Sequence, residues 1–188
     1  MTTAHERKKQ PELVRRAILD CAAQICVERG LAALTIQSVA DMAGVTKGGV
    51  FHHFTSKQAL VEAAFSDLLG QMGREIDRFM AADPEAHGRF TRAYLATVFR
   101  AEAFASNNVC AALSIAMLTE PGLRALWRQW LADRLERHAR TDGTTALTVV
   151  RLAADGVWLA ELMLPEGERI DDRVALHARL LAMTREPV

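Results

Sequence analysis

Residues 35–54 read TIQSVADMAGVTKGGVFHHF. Two short segments are joined by Ala43-Gly44-Val45. Thr35 stands where a side-chain oxygen caps a helix over Ile36–Ala43, and Gly44 can take the left-handed conformation that closes it. Thr46 stands in the same position for a second helix, Lys47 to about Phe54. Ala40 leaves room for two helices to cross closely, and Val45, Val50 and Phe54 supply apolar anchors between them. A small residue, a turn glycine and a buried aliphatic at this spacing describe a helix-turn-helix. An ordinary helical hairpin shares the outline, but the capped ends and the basic, polar second helix favour DNA binding.

Working outward, the chain reads as helices throughout. Val14, Ile18, Cys21 and Ile25 put one apolar face on a first helix, Glu12 to Arg29, ended by Gly30. Thr55-Ser56-Lys57-Gln58 has the spacing of a capping box. It opens a fourth helix to about Ala82, with Phe65, Leu68, Met72, Ile76 and Phe79 on one side. Asp83-Pro84 reads as a cap followed by proline at the first helical position. Further helices are expected from Ser106-Asn107-Asn108 to Leu118, from Pro121 to Asp142-Gly143, over Thr144 to Leu164, and from Asp171 to Arg185. The expected fold is therefore all-α, with about nine helices. Residues 1–56 form a three-helix DNA-binding head, and residues 57–188 form a larger helical body.

The composition fits this outline. Half of the 188 residues are hydrophobic and 24% are charged, as in a folded globular chain. No apolar run reaches the length of a membrane span. The polar stretch Met1 to Glu12 reads as neither a signal peptide nor a transit helix, and an odd number of cysteines fits a reducing cytosol, the expected location. The three cysteines, Cys21, Cys26 and Cys110, include no CxxC pair, which argues against a disulfide framework or zinc site. The net charge of zero hides a split: residues 1–60 hold eight Lys and Arg against five Asp and Glu, and the remainder fifteen against eighteen. A basic head suits a polyanionic partner. Adjacent His52 and His53 point about 100° apart on a helix and cannot chelate one metal together. No catalytic pair with credible spacing is evident, and no cofactor or metal is expected.

The pattern Thr-Ile-x-x-Val-Ala-x-x-Ala-Gly-Val-Thr-Lys-Gly-x-x-aromatic-His-His-Phe-x-Ser-Lys-x-x-Leu resembles the DNA-binding head of TetR-family transcriptional regulators. The resemblance is close over Val14 to Phe65, and the rest agrees in outline. It implies that Thr35 contacts phosphate and that Gln37 reaches a base edge. It also implies that Thr46, Lys47, Gly48 and Gly49 open the recognition helix, that His52 and His53 face backbone or base edges, and that Lys57 contacts phosphate. The family usually has Tyr where this chain has Phe51, whose ring has no hydroxyl to give a phosphate. Arg7, Lys8 and Lys9 precede the expected first helix, either as an arm reaching DNA or as a solvated terminus.

The resemblance further implies an effector cavity and a dimer. Met72, Phe79, Tyr94 and Phe99 are candidate effector-binding residues, with Cys110, Met117 and Trp127 from later helices; core packing is the competing role for each. Few charges on these faces point to an apolar or aromatic effector. The helix after Thr144 is apolar almost all round, so a second copy is expected to cover part of it. Ala153, Ala154, Val157 and Trp158 are its candidate interface residues, joined by Val174 and Leu181 from the last helix. The expected protein is a homodimeric, ligand-responsive regulator of double-stranded operator DNA, a repressor by preference, with no membrane partner. Two rivals stand beside it: a helical enzyme or small-molecule carrier with an unused helix-turn-helix, and a regulator sensing oxidation through its thiols.

Overall fold

The computed structural model describes residues 4–100, 108–165 and 168–185, with side chains described from residue 11 onward and, in the second stretch, from residue 113. Among the described residues the regular structure consists of ten α-helices and one 3₁₀ turn, with no strand. The helices are α1 (Ala4–Arg29), α2 (Ile36–Ala43), α3 (Lys47–His53), α4 (Lys57–Ala82) and α5 (Arg89–Phe99). They continue as α6 (Asn108–Thr119), α7 (Pro121–Arg137), α8 (Ala139–Asp142), α9 (Thr145–Leu162) and α10 (Arg173–Met183). The chain divides into two compact units, residues 1–68 with 107–127 and residues 69–106 with 128–188.

In the first unit α1 packs against α2, α3, α6 and the 3₁₀ turn Leu31–Ala33. Ile18, Ala22 and the pair Ile25-Cys26 form its buried stripe, at steps of about one helical turn. Helix α1 begins at Ala4 and not at Glu12, running through Pro11. Proline removes one backbone donor from the ladder, but the preceding residues are mostly good helix formers. Arg7, Lys8 and Lys9 therefore lie within α1 and not in an arm before it.

Helix α4 is capped one residue later than the capping-box reading expects. Ser56 Oγ accepts from the Ala59 backbone N–H at 3.0 Å, and the helix starts at Lys57. Ser106 and Asn107, expected to break the chain before α6, lie outside the described residues.

In the second unit α5 packs on α8, α9 and α10, and α9 packs on α10. Asp83-Pro84 does not start α5. Arg92 draws that segment into a loop: its guanidinium donates to Asp83 Oδ2 at 2.7 Å, Glu85 O at 2.7 Å and His87 O at 2.8 Å. The chain then turns at Gly88 (φ 69°), and α5 begins at Arg89. A cap for α5 comes from elsewhere in the sequence. Asp142 Oδ1 accepts from the Thr91 backbone N–H at 2.8 Å and from Thr91 Oγ1 at 2.7 Å. Arg151 on α9 donates to Thr91 Oγ1 at 2.6 Å and to the Asp142 carbonyl at 3.0 Å. This buried knot ties the start of α5 to α9. It also explains why the helix expected from Pro121 to Asp142 breaks at His138, with α8 as a separate turn that presents Asp142.

Candidate functional site

The helix-turn-helix is assembled by local hydrogen bonds. At α2, Thr35 Oγ1 accepts from Ser38 N at 2.9 Å, and Ser38 Oγ accepts from Thr35 N at 2.9 Å, a reciprocal cap. Gly44 (φ 65°, ψ 31°) ends α2, and Val45 N donates to Ala40 O at 3.0 Å across the turn. At α3, Thr46 Oγ1 accepts from Gly49 N at 3.0 Å. Val39, Ala40 and Val50 are fully buried and Phe54 nearly so, which fixes α3 against α2 and α1. The Arg15 guanidinium lies over the Phe54 ring, 5.2 Å from its centroid.

This packing leaves one polar surface. Thr35, Gln37, Thr46, Lys47, Gly48, His52 and Lys57 are exposed, while Gly49 and His53 are half-buried. Gln37 donates to Asp41 one turn on, which holds its amide along the outer side of α2. Lys57 Nζ donates to Leu31 O at 3.4 Å, which steadies the side chain at the start of α4. Burial, then the charges of His52 and Arg15, push His53 below the ordinary imidazole range. A Cβ built on Gly48 meets only Thr46 Oγ1 at 3.8 Å, so nothing inside the fold requires glycine there. Among the described residues no cluster of three His, Cys, Asp or Glu is arranged to hold a metal ion.

Two family models match the chain. "Bacterial regulatory proteins, tetR family" covers residues 18–64, and "Tetracyclin repressor-like, C-terminal domain" covers residues 88–185, more than half of the sequence.

The chain belongs to the TetR family.

Among curated relatives, the HTH-type transcriptional repressor KstR2 of Mycolicibacterium smegmatis is 39% identical over 66 residues. That match covers 35% of this chain and 32% of the repressor, so the chain aligns with about a third of that relative's length. The HTH-type transcriptional regulator BetI 1 of Chromohalobacter salexigens is 27% identical over 168 residues, 84% of this chain and 83% of the relative. The multidrug binding protein EbrR, crystallised with malachite green, superposes with a TM-score of 0.73 at 24% identity, covering 93% of this chain and 98% of that one. That likeness concerns the fold.

The TetR-family body places the remaining predicted residues unevenly. Tyr94 and Phe99 are buried, and the Tyr94 hydroxyl donates to Asp155. Burial pushes the Asp155 carboxyl up, against the pull of Tyr94 and Arg151. Phe99 stacks on His177 with centroids 4.6 Å apart and lies under Arg173, 5.0 Å from its centroid. It also lines a shallow cavity of about 190 Å³ with Ala96, Arg100, Arg173, Val174 and His177. Met72 and Phe79 on α4, Met117 on α6 and Trp127 on α7 are each half-buried. Cys110 lies in α6, with its side chain outside the described residues.

For the predicted dimer residues the structure makes a correction. Ala154 and Val157 are 0% and 5% exposed in the single chain, turned inward with Leu147 and Val150 on the buried side of α9. They have no free surface to give a partner. Ala153, Trp158 and Leu181 are half-buried, and Val174 is 85% exposed. Exposed apolar positions along α9 and at its C-cap are not among the predicted interface residues: Val149, Leu152, Gly156 and Leu159 on the helix and Met163 at the cap. They step by three, four, three and four, the spacing of a helix–helix seam. That alternation is visible in the sequence, but it competes with the equally apolar inward stripe.

Proposed function

We propose that this TetR-family chain is a homodimeric, ligand-responsive DNA-binding regulator that acts in the cytoplasm. In this reading it is a repressor released from a palindromic operator by a small apolar or aromatic effector, and not an enzyme. The observation that carries the reading is the exposed surface of α2 and α3. Lys47, Gly48, His52 and the nearby Lys57 are all exposed there, with a glycine that the fold does not need. Residues 1–56 are the DNA-reading head and residues 57–188 the effector-binding and dimerising body. Lys47, Lys57 and Thr35 hold phosphates, while Gln37 and the start of α3 read base edges in the major groove.

Dimerisation is supported by the seam on α9. Leu152 and Met163 are 63% and 73% exposed, an arrangement that favours a second apolar surface. Two copies related by a two-fold axis present two heads, and a two-fold head pair reads a palindrome. An effector lowers operator affinity only by its differential affinity for the two forms of the dimer. Within the second unit, Met72, Phe79, Tyr94 and Phe99 are the residues assigned to effector contact.

Selection from a random-sequence duplex pool with the full-length protein tests this reading, followed by competition with a panel of apolar and aromatic compounds. Enrichment of a palindromic site, and its release by a member of the panel, is the expected result. A pool that yields no enriched sequence refutes it.

A further inference from the structure

The exposed ring of Phe51 is unexplained by the packing of the head. At about 100° per residue, Lys47, Gly48, Phe51 and His52 share one arc of α3, and Val50 lies away from it. Burial follows that arc: all four are exposed, whereas Val50 is fully buried. Phe51 sits between Lys47 and Gly48 on this arc and is 48% exposed. Among the described residues no aromatic ring stacks on it and no cation lies over it. The neighbouring ring contacts join His52 to His53, His53 to Phe54 and Arg15 to Phe54. A large apolar ring held in water gains free energy when another apolar group covers it.

We propose that Phe51 reads a base, by apolar contact with the C5-methyl group of a thymine in the major groove. The inference rests on the DNA-binding reading above. A phenyl ring has no donor or acceptor, so it forms no hydrogen bond with phosphate or with the polar base edges. On those edges in the major groove the thymine methyl is the apolar group to meet. Gly48, three residues earlier on the same arc, leaves the approach open. A Cβ built there meets a single atom, Thr46 Oγ1 at 3.8 Å, and no wall. Lys47 and His52 flank the ring and supply the polar contacts that hold the helix in register. Phe51 thereby sets preference at one base pair per half-site, without a hydrogen bond.

The test uses the duplex site that the full-length wild-type protein enriches from a random pool. Each thymine in it is replaced in turn by deoxyuridine, which removes the methyl group and nothing else. The expected result is one thymine per half-site at which deoxyuridine weakens wild-type binding roughly fourfold. Phe51→Ala should bind the thymine and deoxyuridine versions of that site equally. The ring is exposed, so the variant should keep the wild-type melting temperature, and the deoxyuridine series on wild type needs no variant at all. The inference is overturned if no position responds to loss of the methyl, or if the response persists undiminished in Phe51→Ala. Uniform weakening of all sites by Phe51→Ala, with no methyl dependence, also overturns it and assigns the ring to the sugar-phosphate backbone. A pool with no enriched site refutes the DNA-binding reading, and this inference with it.

Discussion

Gly48→Ala separates what the fold needs from what DNA needs. Gly48 is the second residue of α3, it is exposed, and its φ lies outside the left-handed range. Alanine therefore fits the native backbone, and its Cβ would make one ordinary contact, at 3.8 Å from Thr46 Oγ1. Replacing glycine at such a site removes unfolded-state entropy and stabilises by about 0.4–1 kcal/mol. In a chain of 188 residues each kcal/mol corresponds to roughly 2–4 °C in Tm. The expected shift is thus about +1 to +4 °C by calorimetry. Operator binding should move the other way. If the α3 backbone approaches DNA at Gly48, the added methyl stands where a base edge or phosphate must come. Even a loss of about 1.4 kcal/mol is tenfold in Kd. Fluorescence anisotropy on the selected site should show at least that loss. Gly49→Ala should cost less, because its Cβ would lie against Val45 Cβ at 3.6 Å on the side turned toward the turn. A Gly48→Ala protein that is more stable and binds with wild-type affinity refutes close backbone approach at this position.

Other expectations follow from the same structure. Lys57→Ala should weaken binding to all sequences and lower the salt slope by about one unit, measured as log Kd against log salt; an unchanged slope removes the phosphate contact. Leu152→Arg should yield monomer or aggregate by sedimentation at micromolar concentration while the subunit stays folded, whereas Val157→Arg, at a buried position, should unfold it. A stable Leu152→Arg dimer moves the interface elsewhere. Burial lowers the pKa of His53, His138 and His177 below the ordinary imidazole value of 6.5, so the unfolded chain binds more protons. Their contribution to stability is complete above pH 6.5 and is lost as pH falls through the folded-state values. Urea midpoints between pH 7.5 and 5 should fall accordingly, and His138→Gln, which replaces the ring stacked on Phe90 at 5.1 Å, should flatten part of that slope. An equal slope in wild type and variant rejects the assignment for His138.

The head is legible in sequence because its chemistry is short-range. The Thr35–Ser38 cap, the Val45–Ala40 turn bond and the Thr46–Gly49 cap each span no more than five residues. Thr, Gly and Thr at fixed offsets announce them whatever else the chain does. The exposed arc of α3 follows from the same information, since burying Val50 and Phe54 leaves Lys47, Gly48, Phe51 and His52 outside. Ser56, not Thr55, caps α4 because two adjacent hydroxyl residues offer the same chemistry. Their order along the chain does not choose between them.

In the body the deciding partners are remote, and tertiary structure alone selects them. Asp83-Pro84 has the local form of a helix start, but Arg92 pulls Asp83 and two nearby carbonyls into its guanidinium and delays α5 to Arg89. Asp142 caps Thr91 from 51 residues away. On α9 and its C-cap the stripe Leu147, Val150, Ala154 and Val157 and the stripe Val149, Leu152, Leu159 and Met163 are both apolar. Hydrophobicity alone ranks neither first. Arg151 breaks the tie: its hydrogen bonds to Thr91 and the Asp142 carbonyl turn its side of the helix toward α5. The first stripe then enters the core and the second meets solvent. A buried guanidinium requires its partners, whereas an apolar side chain accepts either face.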